Sequence, residues 1–356
     1  MERIEIHGYK SIKNLDLPLR NINIMIGANG SGKSNLLSFF VFLKLVYNRV
    51  LKESVALVGG MDKFLFMGRK NTPEISMKLT FPSNAYSLTL KVGNESLIVT
   101  KEGLWYDKNP FRGNIVDIAS MSEESNLQFS TDPRAGYVRD YLNELKKYHF
   151  HDTSRNSPFT KVSNIHNDGF FLYSQGENLA SFLYVIKQQT PLSYHLIVRT
   201  IQSVAPYFRD FFFRPDDAGN MSLKWQDKYC ENVYGATDLS DGTIRFIALT
   251  TLFLQPNLPK TIILDEPELG LHPVAISKLS GLIKSAAAKG CQIIIATQST
   301  DLISHFDAED IIAVDQRNGE SYYRRLSTAE LGVWLEDYTI DELWKRNMIN
   351  GAQPNN

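Results

Sequence analysis

The chain has 356 residues, 43% hydrophobic and 22% charged, a globular balance that excludes a disordered or fibrous polymer. Its 38 basic and 39 acidic residues leave a net charge of −1, so no global field recruits polyanions, and nucleic-acid contact would need a local patch or a partner. Two cysteines, Cys230 and Cys291, cannot build a disulfide framework and fit a reducing interior.

The opening MERIEIHGYKS carries charges where a signal peptide needs an apolar core, which argues against secretion. Residues 1–30 alternate polar and apolar and then run INIMIG into a Gly-rich turn, which predicts an edge strand, a buried strand and a loop. The most membrane-like stretch is LLSFFVFLKLVYNRVL, residues 36–51. Lys44 interrupts it and it is shorter than the roughly 20 apolar residues a span needs, so it reads as a buried helix. Residues 72–106 alternate again, broken at Pro82-Ser83-Asn84 and Gly93-Asn94, which predicts an antiparallel meander. Residues 108–135 are polar, with Asn109-Pro110 and Asp132-Pro133, and read as a loop or mobile insertion. A short helix over 137–147 and a strand around 147–151 are expected next.

From 178 to 213 the apolar positions recur at three and four residues, punctuated by Pro191 and Pro206, a helical pattern. A short β region at 222–225 precedes LSDGTIRFIALTTLFLQP, a helix that starts near Ser240 and stops at Pro256. TIILDE, a helix over 274–289 closed by Gly290, and CQIIIAT complete a β-helix-β unit with parallel strands. There is no internal repeat and no heptad run long enough for a coiled coil.

Residues 27–34, GANGSGKS, match G-x-x-x-x-G-K-[ST] at every fixed position, with a predicted strand before and a predicted helix after. Such a loop turns its backbone N–H groups inward around a β-phosphate. Asn29, Gly30, Ser31, Gly32, Lys33, Ser34 and Asn35 are therefore the candidate cradle for ATP. Lys33 would reach the β- and γ-phosphates, and the Ser34 hydroxyl would ligate Mg²⁺. Far along the chain, Thr261-Ile262-Ile263-Leu264-Asp265-Glu266 is a buried strand ending in adjacent acids. Strand residues alternate faces, so the two carboxylates are expected to point differently. Asp265 would hold Mg²⁺, directly or through water, and Glu266 would orient or deprotonate the attacking water as general base.

With these two motifs the chain resembles an ABC-type ATPase head of the RecF/SMC-like kind, in the group of AAA-family ATPases related to overcoming-lysogenization-defect proteins. LSDGT at 239–243 is similar to the LSGGQ segment of that family, and Gly242 precedes Asp265 by 23 residues (265 − 242), the family's spacing. PELGLHP at 267–273 resembles its D-loop. Ala296-Thr297-Gln298-Ser299 takes the switch position, with Gln298 where these families usually carry His. Tyr9-Lys10-Ser11 matches the aromatic-basic-Ser segment that contacts nucleotide in SMC-like heads, which makes Lys10 a candidate phosphate contact. The resemblance implies an α/β P-loop NTPase fold with a mixed sheet, an antiparallel β subdomain and an inserted helical lobe.

Ser240 at a helix N-cap leaves amide donors and the positive helix end aimed at an anion. In the family this anion is the γ-phosphate of ATP on the opposite subunit, which brings Ser240 and Gly242 into the site. One chain has one phosphate loop and one LSDGT, so two complete sites require a homodimer. Asp241, in place of the family's first Gly, adds a negative charge there. Gln298 can hydrogen-bond a phosphate or water but cannot take a proton, so hydrolysis would lean on Glu266.

Gln175, in YSQGENLA, is the candidate Q-loop residue on the metal side, and residues 148–154 are the alternative entrant to the site. His149 and His151, two apart on a strand, place both rings on one face. Without a third ligand at recognisable spacing, a structural or nucleotide-proximal role is preferred to a metal site. Trp334 and Trp344 read as packing anchors.

The expected organisation is an N-terminal part of the ATPase core at 1–135, a helical lobe at 136–255 ending in the LSDGT helix, the C-terminal part of the core at 256–326, and a helical tail at 327–356. The resemblance implies an Mg²⁺-dependent ATPase that dimerises on ATP and acts as a switch in DNA repair or anti-phage defence. A separate effector protein would read its state, because the last 30 residues are too few for the TOPRIM nuclease fused in overcoming-lysogenization-defect proteins. The alternative is a RecF-like clamp on DNA with slow ATPase; otherwise DNA contact is expected to be weak. A transporter ATPase is a third, weaker option. Cytoplasmic location without membrane contact is expected.

Overall fold

In a computed structural model of the chain, which describes residues 1–93, 96–107, 115–332, 334–346 and 348–349, the alternating N-terminus folds as a hairpin. Strand β1 (Arg3–Tyr9) buries Ile4 and Ile6 and pairs antiparallel with β2 (Ile12–Pro18). Lys10 turns the chain between them with φ 47. Strand β3 (Ile22–Ile26) is buried at every position, as its continuous apolar run requires. Helix α1 (Lys33–Tyr47) follows and then α2 (Leu51–Val58). The membrane-like stretch is thus a core helix, burying Leu36, Leu37, Phe39, Phe40, Phe42, Leu43 and Val46. The rings of Tyr9 and Phe39 meet edge to face at 5.2 Å. Among the described residues, no helix is long and apolar enough to cross a membrane.

Strands β4 (Glu74–Thr80), β5 (Asn84–Val92) and β6 (Leu97–Tyr106) form the expected meander, extended by β7 (Val116–Ala119). The sheet runs β2-β1-β4-β5-β6-β7, antiparallel throughout. The first strand is therefore interior and β2 is the edge, a correction to the expected edge strand, because the hairpin partner covers β1. Asn94, expected in a turn, and Asn109-Pro110, expected in a loop, lie outside the described residues.

Fully buried Glu102 fastens the later part of the expected loop to this sheet. Its carboxylate accepts from the Ser125 hydroxyl at 2.5 Å, the Asn126 N–H at 2.7 Å and the Tyr86 hydroxyl at 2.6 Å. Helix α3 (Pro133–Asn143) begins four residues before its expected start at 137, because Asp132 caps the Arg134 N–H at 2.9 Å and Pro133 opens the first turn.

The chain divides into two compact units, one of Met1–Leu145 with Asp307–Asn356 and one of Lys146–Phe306. At the entry to the second come β8 (Leu145–Tyr148), β9 (Ser163–Asn164), α4 (Leu179–Gln189) and α5 (Pro191–Gln202). The helical pattern ends there. The aromatic run that follows is strand β10 (Phe208–Phe211), after which come β11 (Asn220–Met221), β12 (Lys224–Asp227) and β13 (Val233–Gly235). Strand β12 pairs with both β10 and β13, and Trp225 stacks between Phe208 and Tyr234 at 6.0 and 5.1 Å. Cross-strand aromatic pairing outweighs helical periodicity here.

Helix α6 (Asp241–Leu254) is buried from Ile244 onward. The β-helix-β unit is as expected: β14 (Thr261–Asp265), α7 (Pro273–Ala288) and β15 (Gln292–Thr297), with the strands parallel from Thr261↔Gln292 to Asp265↔Ala296. The short α8 (Thr300–Ile303) closes the unit.

Returning to the first unit, β16 (Ile311–Arg317) pairs parallel with β3 and antiparallel with β17 (Glu320–Arg325), a mixed arrangement. The tail carries α9 (Thr328–Leu331), α10 (Trp334–Asp337) and α11 (Ile340–Lys345). Trp334 is 50% exposed, so it does not anchor the tail; Leu331, Ile340, Leu343 and Ile349 are buried.

Candidate active site

Of the candidate residues, Lys10 and 29–35 lie in the first unit, and Gln175, Ser240, Gly242, Asp265, Glu266 and Gln298 lie in the second.

The loop between β3 and α1 is shaped by positions that tolerate no side chain. A Cβ on Gly27 would strike the Val314 carbonyl, and Gly32, at φ 113, backs directly onto Ser321. Gly32 starts α1 without a side-chain cap, so the helix presents open amides. Lys33 is buried and its ammonium donates to the carbonyls of Gly27 at 2.6 Å and Ala28 at 2.9 Å. The Ser31 hydroxyl is buried with no hydrogen-bond partner. Asn29, Gly30 and Ser34 are exposed, and the Asn35 amide donates to the Ser11 hydroxyl at 2.6 Å. Lys10 reaches the same helix, donating to the Ser38 hydroxyl at 2.9 Å.

An orphaned hydroxyl, a helix start without a side-chain cap and a buried ammonium beside them fit an incoming polyphosphate. The backing of this loop was not visible in the sequence. It comes from β17, where the Ser321 Oγ lies 2.7 Å from both the Ser31 carbonyl and the Ser11 hydroxyl, and the Tyr323 hydroxyl donates to the Gly32 carbonyl at 2.8 Å.

In the second unit, β14 ends at Asp265 and Glu266 takes φ 42, the left-handed region that costs a non-glycine residue about 1–2 kcal/mol. Glu266 thus lies beyond the strand in a left-handed turn, so the strand alternation expected for both acids does not extend to it. The Glu266 N–H still donates to the Ala296 carbonyl at 2.7 Å, and its Oε1 accepts from Gln298 Nε2 at 2.5 Å. This brings Glu266 and Gln298 together.

The Asp265 carbonyl is 2.7 Å from His151 Nε2, and the His149 and His151 rings stack at 4.3 Å. Burial, and then the neighbouring His151, hold the His149 pKa below its usual value. The His149 N–H donates to the Ser174 carbonyl at 2.8 Å, which sets the exposed Gln175 turn beside the histidines. Among the described residues no group of three or more His, Cys, Asp or Glu is placed to hold a metal.

Ser240 caps α6 as expected, its hydroxyl accepting from the Thr243 N–H at 3.2 Å. Asp241 stands exposed in the first turn. Gly242 lies against the Gly270 carbonyl, where a Cβ would collide, so the LSDGT helix packs on the D-loop. Arg245, 5% exposed, makes the rest of that joint. It donates to the carbonyls of Phe150 at 2.9 Å, His151 at 3.0 Å and Leu269. Burial lowers its pKa. Its signal in the sequence was a lone charge inside the apolar run from Gly242 to Leu254.

Residues 22–304 match the family described as "AAA domain, putative AbiEii toxin, Type IV TA system". The chain is 32% identical over 140 residues to the energy-coupling factor transporter ATP-binding protein EcfA2 of Lactobacillus delbrueckii subsp. bulgaricus, covering 38% of this chain and 47% of that protein. It is 23% identical over 193 residues to the DNA replication and repair protein RecF of Streptococcus uberis, covering 51% of this chain and 50% of that protein. The chain spans about half the length of these curated relatives.

Among solved structures, an SMC head bound to the C-winged helix domain of ScpA superposes with a TM-score of 0.60 at 17% identity, covering 93% of this chain and 99% of that one. An SMC head with an extended coiled coil, bound to the C-terminal domain of ScpA derived from Pyrococcus furiosus, gives 0.54 at 15% identity, covering 94% and 98%. The family match spans most of the chain and the likeness to SMC heads spans its fold: the chain belongs to this AAA-domain family and has the fold of an ABC-type ATPase head of the RecF/SMC-like kind.

Proposed function

We propose that the chain binds ATP with Mg²⁺, dimerises on it and hydrolyses it slowly, as a switch whose state a separate effector protein reads. The hydrogen bond from Gln298 to Glu266 carries this reading. It places a carboxylate that can take a proton beside an amide that can only orient water. Slow turnover follows, since one member of the pair has no proton chemistry.

The open amides of α1, the Ser31 hydroxyl, Lys33 and Lys10 would take the phosphates. Ser34, Asp265 and Gln175 would hold Mg²⁺, which when bound neutralises charge on the β- and γ-phosphates. Ser240 and Gly242 would offer the N-terminus of α6 to the ATP of a second copy. The toxin–antitoxin wording of the family description and the replication-and-repair name of RecF support anti-phage defence or DNA repair as the setting, in the cytoplasm.

Purified protein should hydrolyse ATP only with Mg²⁺, and Glu266→Gln should hold ATP and run as a dimer in light scattering. A wild type without turnover, or a variant that stays monomeric with ATP, overturns the reading. The RecF relative favours a second reading, a clamp on DNA. Tight duplex binding by the isolated chain at physiological salt would select it; the net charge of −1 predicts weak, salt-sensitive binding instead.

A further inference from the structure

We infer that Glu268 is a positioning residue for hydrolysis, joining the LSDGT helix to the Glu266–Gln298 pair through its hydrogen bond to Thr297. The inference rests on the proposed hydrolytic role of that pair.

Glu268 follows Glu266 by two residues, and Thr297 precedes Gln298 by one. Both are enclosed, Glu268 at 7% exposure and Thr297 at 0%. The Thr297 hydroxyl donates to Glu268 Oε1 at 2.5 Å and accepts from the Ser299 N–H at 2.9 Å. One hydroxyl thereby fixes the backbone on both sides of Gln298. The other carboxyl oxygen of Glu268 is buried with no hydrogen-bond partner. Such an oxygen costs about 1–3 kcal/mol, which an apolar side chain of similar size would avoid. Packing alone therefore does not account for a carboxyl group here.

The segment that carries Glu268 is held from its other side by α6. The Leu269 carbonyl accepts from Arg245, and Gly242 closes on the Gly270 carbonyl. Within the segment, the Leu269 N–H donates to the Glu266 carbonyl at 3.2 Å and the Leu271 N–H to the Glu268 carbonyl at 2.9 Å. Residues 266–271 form a braced turn, clamped to the LSDGT helix at one end and tied by Glu268 to the end of β15 at the other. A shift of α6 passes through this turn to Thr297, and so to the amide that faces Glu266.

The test is steady-state ATP hydrolysis per ATP-binding chain, with binding stoichiometry measured by calorimetry. Glu268→Leu should lower kcat by up to about tenfold, no more than loss of Gln298 itself, with KM for ATP within about twofold, the mark of lost positioning. Glu268→Gln, which keeps an acceptor for Thr297, should stay near wild type. In a Gln298→Ala background, Glu268→Leu should add no further loss, because residues acting through one another do not add. An undiminished kcat in Glu268→Leu, or losses that multiply with Gln298→Ala, overturns the inference. Should Glu268→Leu fail to fold, Thr297→Val must lose turnover and Thr297→Ser must keep it; equal rates in those two overturn it as well. A wild type without turnover, or a Glu266→Gln variant at full rate, overturns the underlying reading and this inference together. A silent Glu266→Gln beside a fully active Glu268→Leu overturns this inference alone.

Discussion

Gln298 Nε2 donates to Glu266 Oε1 at 2.5 Å, so the side chain that follows β14 and the one that follows β15 are joined directly. Under the proposed roles, base for Glu266 and orienting amide for Gln298, removing one or the other should differ in degree. Glu266→Gln should slow hydrolysis about 10²- to 10⁴-fold, the range for loss of a general base, with ATP binding retained. Gln298→Ala should cost about tenfold, since the carboxylate survives but loses its partner. Single-turnover hydrolysis of bound ATP separates the two, and a Gln298→Ala loss equal to that of Glu266→Gln would contradict the division of labour.

In the loop before α1, the proposed ATP binding would rest on one buried ammonium and on glycines that leave no space. Lys33→Ala should weaken ATP binding at least about ten- to hundredfold, the loss of one charged hydrogen-bonding group. Gly32→Ala should do comparable damage by a different route, because φ 113 and the facing Ser321 both forbid a side chain. Calorimetric titration with ATP and Mg²⁺ checks both, and a Lys33→Ala variant with wild-type affinity would contradict the cradle.

How far the site could be read in advance follows from what each feature depends on. The phosphate loop and the Asp265-Glu266 strand end were legible because local spacing alone defines them. The Ser240 cap was legible because a hydroxyl before an apolar run is a local signal. Ser321 and Tyr323 were not, since their contacts with the loop join positions about 290 residues apart in sequence. The β10 strand was misread as helix because Phe208 and Phe211, three apart, fit a helical period until Trp225 supplies the cross-strand partner. Glu266 turned by backbone strain, which no residue pattern announces.

Arg245 binds three carbonyls from two segments while almost fully enclosed. Arg245→Met keeps the bulk and removes every donor, leaving the carbonyls of Phe150, His151 and Leu269 short of a partner. A loss of about 1–3 kcal/mol in urea unfolding is expected, the cost of leaving buried carbonyls unsatisfied. Arg245→Lys should recover only part of it, because an ammonium cannot reproduce the planar fork. A loss under about 1 kcal/mol for Arg245→Met would show that these bonds are replaced by water.

Glu268 gives the second unit a pH dependence with a definite sign. Burial, more than the neighbouring Glu266, raises its pKa above the usual 4.5. The folded state thus prefers the neutral carboxyl. The stability from this group is fully present below 4.5 and is lost as pH rises through the raised folded value. Glu268→Gln is neutral at every pH and avoids that loss. At pH 7 it should therefore melt above wild type. At pH 4 the two melting curves should converge; a gap that persists there would assign the effect to packing.

The two cysteines should differ in reactivity for the same physical reason. Cys291 opens β15 from a buried position, and burial pushes its thiol up to about 12. The thiolate is the nucleophile, so at pH 8 only about one molecule in 10⁴ would carry it even if reagent could enter. Cys230 is half-buried, with its sulfur 3.4 Å from the Tyr234 hydroxyl in the β12–β13 turn. One thiol per native chain should react with a disulfide reagent at pH 8, and two after unfolding. Cys230→Ser should leave none in the native protein. Fast reaction of Cys291 in that variant would mean that the end of the parallel pair opens on the timescale of the assay.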